Sequence, residues 1–268
     1  MKKDFVTVGG LRTYYWQAGD TGPILFMLHG QLPGSCVEVE WGDHVENFGK
    51  AGFRVYAPDV AGFGQTDNPP DYSLDTRVAH LLAFADHFKF DRYSVWGSSM
   101  GSYMGCAMAL KDPRLDKLIL MPSTVLPPMT DAAPVWVVQT GSVGELVPSY
   151  TPTPQKARVL LERANANKAA ITDELVRVFV ENSSGKNAEA LKGRLALGRP
   201  KPLHPELKTL KNKALLLWGA DDSPDRALLL QRAFPGSELH MFPDCQHWPQ
   251  FDHPKRSFEI VSAFLRQA

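Results

Sequence analysis

Gly97-Ser98-Ser99-Met100-Gly101 fits the pattern G-x-S-x-G and lies between two stretches of different habit. Tyr93-Ser94-Val95-Trp96 before it is strand-like, and Tyr103 to Leu110 after it is helix-prone. A strand that turns this sharply into a helix holds the Ser99 hydroxyl out where a substrate can reach it. Glycine on both sides avoids the crowding any side chain would cause in so tight a turn. A chance match is expected in roughly one such chain in ten. The reading therefore depends on whether the chain supplies the partners a serine nucleophile needs.

The 268 residues suit one large α/β domain carrying an insertion, and 44% hydrophobic with 22% charged residues is globular composition. Lys plus Arg equals Asp plus Glu, 29 each, so no broad field draws nucleic acid or an anionic membrane. Cys36, Cys106 and Cys245 are odd in number and too few for a disulfide framework, and their spacing fits no metal site. They read as buried or incidental thiols of a reducing compartment. No apolar segment follows Met1-Lys2-Lys3-Asp4 as a secretory signal requires, and no apolar run approaches the roughly 18 residues of a membrane span. A cytoplasmic location is the expectation.

Short apolar runs alternate with longer helical patterns, as in a mostly parallel sheet covered by helices. The strands are expected at Phe5–Val8, Leu11–Trp16, Ile24–Leu28, Arg54–Ala57, Tyr93–Trp96, Lys117–Met121, Ala214–Trp218 and Glu238–Phe242. Helices are expected at His44–Ala51, Ser73–Phe88, Met100–Leu110, Asp225–Phe234 and Pro254–Arg266. Residues 125–205 break the alternation: Pro-rich joints flank helical patterns at Pro154–Asn167 and Asp173–Asn182. About 80 residues is too long for a loop, so a helical cap (125–205) inserted after strand six, over a core of 1–124 and 206–268, is the expected organisation.

A serine hydroxyl needs an adjacent base, itself oriented by an acid. In an open α/β sheet these groups gather beyond the C-terminal strand ends. Of the eight histidines, His247 alone lies in a loop between the final strand and the last helix. His29 also follows a strand, but Gly30 beside it belongs to the stretch His29-Gly30-Gln31-Leu32-Pro33-Gly34. His240 reads as packing within a strand. Trp218-Gly219-Ala220-Asp221-Asp222-Ser223 ends another strand with two carboxylates, Asp221 and Asp222, and family spacing given below prefers the second. The order Ser99, Asp222, His247 is that of α/β-hydrolases, and the chain is identified as a member of that superfamily. Backbone N–H groups of Gln31 (or Leu32) and Met100 would then meet the developing oxyanion, each worth on the order of 3 kcal/mol. Asp59-Val60-Ala61-Gly62-Phe63-Gly64-Gln65-Thr66-Asp67 fits the glycine-rich loop after the next core strand.

Within that superfamily the chain resembles the meta-cleavage product hydrolases of bacterial aromatic degradation. The most specific part is Gly236 to Phe242 continuing through Asp244-Cys245-Gln246-His247-Trp248-Pro249-Gln250-Phe251-Asp252-His253, with its His-Trp pair. Lys117-Leu118-Ile119-Leu120-Met121 and Trp218-Gly219-x-x-Asp222 also resemble the family, and the latter spacing marks Asp222 as the acid. The resemblance implies hydrolysis of a carbon–carbon bond in a vinylogous 1,5-diketone made by ring cleavage of a catechol. It implies a small-molecule substrate and no metal or organic cofactor, and it leaves a homodimer open.

The chain departs from the family at informative places. Ser98 stands where Asn usually precedes the serine, Ser102 stands where a second Gly usually follows, Gln31 and Leu32 replace Ser and Gly, and Trp41 falls further downstream than usual. The cap arginine that would hold the substrate's carboxylate head aligns near Phe179, and Arg177 lies two residues away on a different helix face. Carboxylester or amide hydrolysis by the same machinery is therefore the alternative, and a non-catalytic hydrolase-like binder the remaining one. Trp248, Phe179, Arg177, Ser98 and Leu32 are the expected substrate contacts, with Val135-Trp136-Val137-Val138 adding apolar character.

Overall fold

The computed structural model describes residues 1–123, 143–197, 201 and 203–267. One sheet organises the core. Its strands are β1 (Lys2–Val8), β2 (Leu11–Ala18), β3 (Ile24–Leu28), β4 (Arg54–Pro58), β5 (Tyr93–Gly97), β6 (Leu115–Leu120), β7 (Lys213–Gly219) and β8 (Glu238–Phe242), in the order β1-β2-β4-β3-β5-β6-β7-β8. β1–β2 and β2–β4 pair antiparallel, and every other pair is parallel. The eight expected strands are all present, with ends displaced by a few residues at most.

The helices are α1 (Val37–Glu40), α2 (Asp43–Lys50), α3 (Leu74–His87), α4 (Met100–Ala109), α5 (Pro154–Ala164), α6 (Asp173–Asn182), α7 (Lys186–Ala196), α8 (His204–Leu207), α9 (Pro224–Ala233), α10 (Pro249–Asp252) and α11 (Pro254–Arg266). Along β3 the side chains alternate: Ile24, Phe26 and Leu28 join a core with Phe84 of α3, Met104 of α4 and Leu230 of α9, while Leu25 and Met27 join a second core with Phe48 of α2 and Phe264 of α11. Both faces of the strand are covered, which is why its sequence reads as one continuous apolar run. Each such buried side chain contributes about 1.5–3 kcal/mol.

All described elements between β6 and β7 are helical. Ala157, Leu160 and Leu161 of α5 and Val176 and Phe179 of α6 form a third cluster with Leu32, Cys36, Val39 and Trp248. The helical insert thus sits on the loops after β3 and β8. The helix expected at Pro154–Asn167 ends earlier, at Ala164: Asn165 is extended (φ −133°, ψ 143°) and its side chain donates back to Leu161 O at 2.8 Å. α1, α7, α8 and α10 were not foreseen. The Pro127-Pro128 joint and Val135-Trp136-Val137-Val138 lie outside the described residues.

Candidate active site

β3 and β5 are neighbours in register, Leu28 beside Gly97, so the loops that leave them begin side by side. Ser98 N–H donates to Leu28 O at 2.9 Å and joins the two turns. Ser99 has φ 50° and ψ −111°, a backbone state that costs a non-glycine residue on the order of 1–3 kcal/mol. The flanking glycines are required by space: a methyl group on Gly101 would lie 2.1 Å from Leu28 O, and one on Gly97 would lie 2.4 Å from the Gly101 carbonyl carbon. From Tyr93 to Met108 every residue is buried except Ser99. The turn therefore presents one hydroxyl and hides its neighbours.

His247 Nδ1 lies 2.5 Å from Asp222 Oδ2. The carboxylate accepts, so Nδ1 carries the proton and Nε2 is left with its lone pair. Burial pushes the His247 imidazole down, but the Asp222 charge and hydrogen bond, with Glu40 adding to them, outweigh it and raise its pKa above 6.5. Burial likewise pushes Asp222 up, and the charge and hydrogen bond of His247 reverse this, leaving it below 3.8. Asp222 is held by Trp218 Nε1, which donates to its carbonyl at 2.5 Å. Asp221 is exposed, and its N–H donates to Cys245 O. The geometry brings Asp222, not Asp221, to His247.

The loop after β3 is built around two buried groups. His29 Nε2 accepts the Val60 N–H at 2.9 Å, so the ring donates from Nδ1 to Gly30 O at 2.8 Å. Burial pushes its pKa down to about 4, and His29 is a neutral structural tie between two loops. Glu40, 3% exposed, accepts the Gly30 N–H at 2.9 Å and the Ser35 hydroxyl at 2.5 Å. Gly30 N–H is thereby taken, while the N–H groups of Gln31 and Met100 have no acceptor among the described residues. Asp59 accepts the Val37 N–H at 2.8 Å and the Gln65 N–H at 2.8 Å, and burial pushes its pKa up to about 6.

The expected substrate contacts divide. Leu32, Phe179 and Trp248 are buried in one cluster over the site loops. Ser98 is fully buried and faces the Glu40 carboxylate without a fully formed hydrogen bond. Arg177 is exposed on α6 and ion-paired with Glu174 at 2.5 Å and with Glu181. It does not join the buried cluster, because two helix neighbours at i−3 and i+4 draw its guanidinium to the surface. His240 lies within β8, as the sequence suggests. No group of three or more His, Cys, Asp or Glu side chains suited to a metal occurs among the described residues.

Residues 23–254 match the family model described as alpha/beta hydrolase fold. The chain belongs to that family. This hydrolase is 29% identical to a 2-hydroxy-6-oxononadienedioate/2-hydroxy-6-oxononatrienedioate hydrolase of Burkholderia vietnamiensis, with 96% of this chain and 92% of that one covered. It is 26% identical to the 2-hydroxy-6-oxo-2,4-heptadienoate hydrolase of Pseudomonas putida, with 97% and 95% covered. Among solved structures, the meta-cleavage product hydrolase CumD from Pseudomonas fluorescens IP01, in a mutant complexed with acetates, superposes with a TM-score of 0.86 at 27% identity, covering 98% of this chain and 97% of that one. No described helix is long and apolar enough to cross a membrane.

Two residues of the hydrolase site were missed from sequence. Glu40 carried no signal, since a glutamate two residues after another, Glu38, reads as surface. Asp252 did belong to the family-like stretch. It accepts N–H groups from Gln246, Ala166 and Asn167 at 2.9 Å each, linking the loop of His247 to the end of α5.

Proposed function

We propose that this protein is a serine hydrolase in which Ser99 attacks, His247 takes the proton and Asp222 orients the imidazole, and that its substrate is a vinylogous 1,5-diketone cleaved at a carbon–carbon bond. The observation that carries the reading is the 2.5 Å contact between His247 Nδ1 and Asp222 Oδ2, to which the strained, partly exposed Ser99 adds the nucleophile this reading needs. The relatives' names support the substrate class.

In this mechanism the dienol first takes a proton at carbon and becomes the ketone. Ser99 Oγ, or a water that it activates, adds to the other carbonyl while His247 Nε2 accepts the hydroxyl proton. The negative oxygen faces the N–H groups of Gln31 and Met100, which have no competing acceptor among the described residues. Collapse breaks the carbon–carbon bond. The electron pair leaves as a delocalised dienolate, which is protonated, and water releases the acyl group as a carboxylic acid. No metal or organic cofactor enters these steps. The helical insert, covering core loops through Leu32 and Trp248, acts as a cap that excludes water. The reading keeps a cytoplasmic location as an expectation, and the family resemblance leaves a homodimer open.

Carboxylester or amide hydrolysis is the second reading. Phe179 favours it, because a buried phenyl ring occupies the position where the resemblance calls for an arginine. A coloured dienolate ring-cleavage product separates the two: bleaching with formation of a dienoate and an acid supports carbon–carbon hydrolysis. Fast p-nitrophenyl acetate hydrolysis without bleaching would favour the second. Ser99→Ala should lower kcat by about 10⁴–10⁶-fold, and undiminished turnover would remove both.

A further inference from the structure

Glu40 is a buried carboxylate that the mechanism above does not use. It reaches the site from α1 and touches three parts of it. Its Oε2 takes the Gly30 N–H and its Oε1 the Ser35 hydroxyl. A methyl group built on Gly30 would lie 3.2 Å from Ser99 Cβ, 3.3 Å from Glu40 Oε1 and 3.4 Å from Ser98 O, so the nucleophile and this carboxylate flank the same point. Gln250 Nε2, from the helix that follows the His247 loop, donates to Glu40 O at 3.4 Å.

We propose that Glu40 is a positioning residue of this site, a second carboxylate that pins the oxyanion turn and sets the charge against which His247 works. The proposal rests on the Ser99–His247–Asp222 reading. A buried charge is retained only where hydrogen bonds or an opposite charge offset its desolvation. Burial raises the Glu40 pKa above 4.5, and the Ser35 hydroxyl, the Gly30 N–H, the Ser98 hydroxyl and the His247 ring act in the opposite direction, favouring its ionised form. The groups that face His247 are Asp222 and Glu40. When His247 takes the serine proton, its new positive charge forms against Asp222 and within the field of a second carboxylate, Glu40.

The turn and the charge can be separated. In Glu40→Gln the side-chain oxygen still accepts from Gly30 and the amide can donate to Ser35, but the charge is gone. Glu40→Ala removes both. The readout is the rate at which a fluorophosphonate labels Ser99 as a function of pH, with Ser99→Ala as the unlabelled control. Removing a negative charge near His247 makes the ring less basic, so the acid limb of labelling in Glu40→Gln should move about one unit to lower pH. The plateau rate should fall up to about tenfold, the equivalent of that unit, while thermal unfolding comes no earlier than in the parent. An acid limb that stays put or moves upward would overturn the proposal and leave Glu40 as a loop tie alone. Should the parent chain itself resist labelling, the nucleophile reading fails separately. The His247 ring titration by NMR, in parent and Glu40→Gln, then gives the same comparison without any chemistry.

Discussion

The backbone N–H of His247 donates to Ala164 O at 2.9 Å, so the loop that carries His247 is clipped to the last residue of α5. Asp252 completes the clip by accepting from Gln246 on one side and from Ala166 and Asn167 on the other. The positions of His247 and of the helical insert are therefore mechanically joined. If α5 moved, it would take the hydrogen-bond partner of the His247 loop with it.

Asp252→Ala should expose that coupling. The variant loses three hydrogen bonds to a carboxylate at a part-buried site. Bonds to charged groups contribute about 1.5–3 kcal/mol each, and water replaces some of them, so a net loss of about 2–4 kcal/mol is expected. Urea unfolding measures it. The same variant should lower kcat more than it changes KM, because the imidazole rather than the pocket is disturbed. A stability loss with kcat untouched would show that the clip serves the fold only.

Asp222→Asn tests the pair by pH. His247 is raised above 6.5, so its share of the stability is present below 6.5 and is lost as pH rises through the folded value. Asp222 is depressed below 3.8, so its share is present above 3.8 and is lost as pH falls through the folded value. Both shares coexist between those limits. The stability gap between parent and Asp222→Asn should be widest at roughly pH 4–6.5 and narrow toward higher pH. In the parent, kcat/KM should rise with pH through a midpoint above 6.5, since the base must be neutral. Asp222→Asn should lower kcat by about 10⁴-fold and move that midpoint down. A gap that fails to narrow as pH rises above that window would contradict the ion pair.

Gly34 shows why the loop after β3 tolerates little. A methyl group there would lie 2.3 Å from Phe179 O and 2.6 Å from Phe179 Cγ. Gly34→Ala must push α6 away or distort the loop, at a cost of about 1–3 kcal/mol. The expected outcome is earlier thermal unfolding together with weaker substrate binding, because α6 carries part of the cluster over the site. Unaltered unfolding and KM would mean that the insert repacks freely.

The core was legible because local and global signals agreed there. G-x-S-x-G, the apolar strands and the loop of His247 follow from pattern, the choice of Asp222 follows from the family resemblance, and the sheet order places Leu28 beside Gly97 as that reading needs. α7 was not legible for a physical reason. Its buried positions Asn187, Ala190, Leu191 and Arg194 have helical spacing, but two of the four are polar. Asn187 donates to Gly64 O at 3.0 Å, and Arg194 donates to Gly62 O at 2.7 Å and stacks on the Phe63 ring. The helix docks on the glycine-rich loop through hydrogen bonds, so an apolar-periodicity search finds no stripe. Glu40 fails the same way: its burial depends on partners contributed by Gly30 and Ser35, which a sequence does not display as contacts.

Phe179 is the last test, since substrate class turns on it. The resemblance places an anion-binding arginine here, yet the ring is fully buried, packed edge-on to Tyr150 at 6.1 Å and against Gly34. Its measurable role is packing. Phe179→Leu should cost about 1–1.5 kcal/mol and Phe179→Ala about 3–5 kcal/mol. Phe179→Arg should cost more than Leu, because it buries a guanidinium among the apolar side chains of that cluster. If packing is the whole role, Phe179→Arg gains nothing toward a diketone with a carboxylate head relative to a neutral ester. A tenfold or greater rise in relative kcat/KM for the carboxylate substrate, about 1.4 kcal/mol of transition-state binding, would instead mean that the pocket still accepts the anion and lacks only its counter-charge.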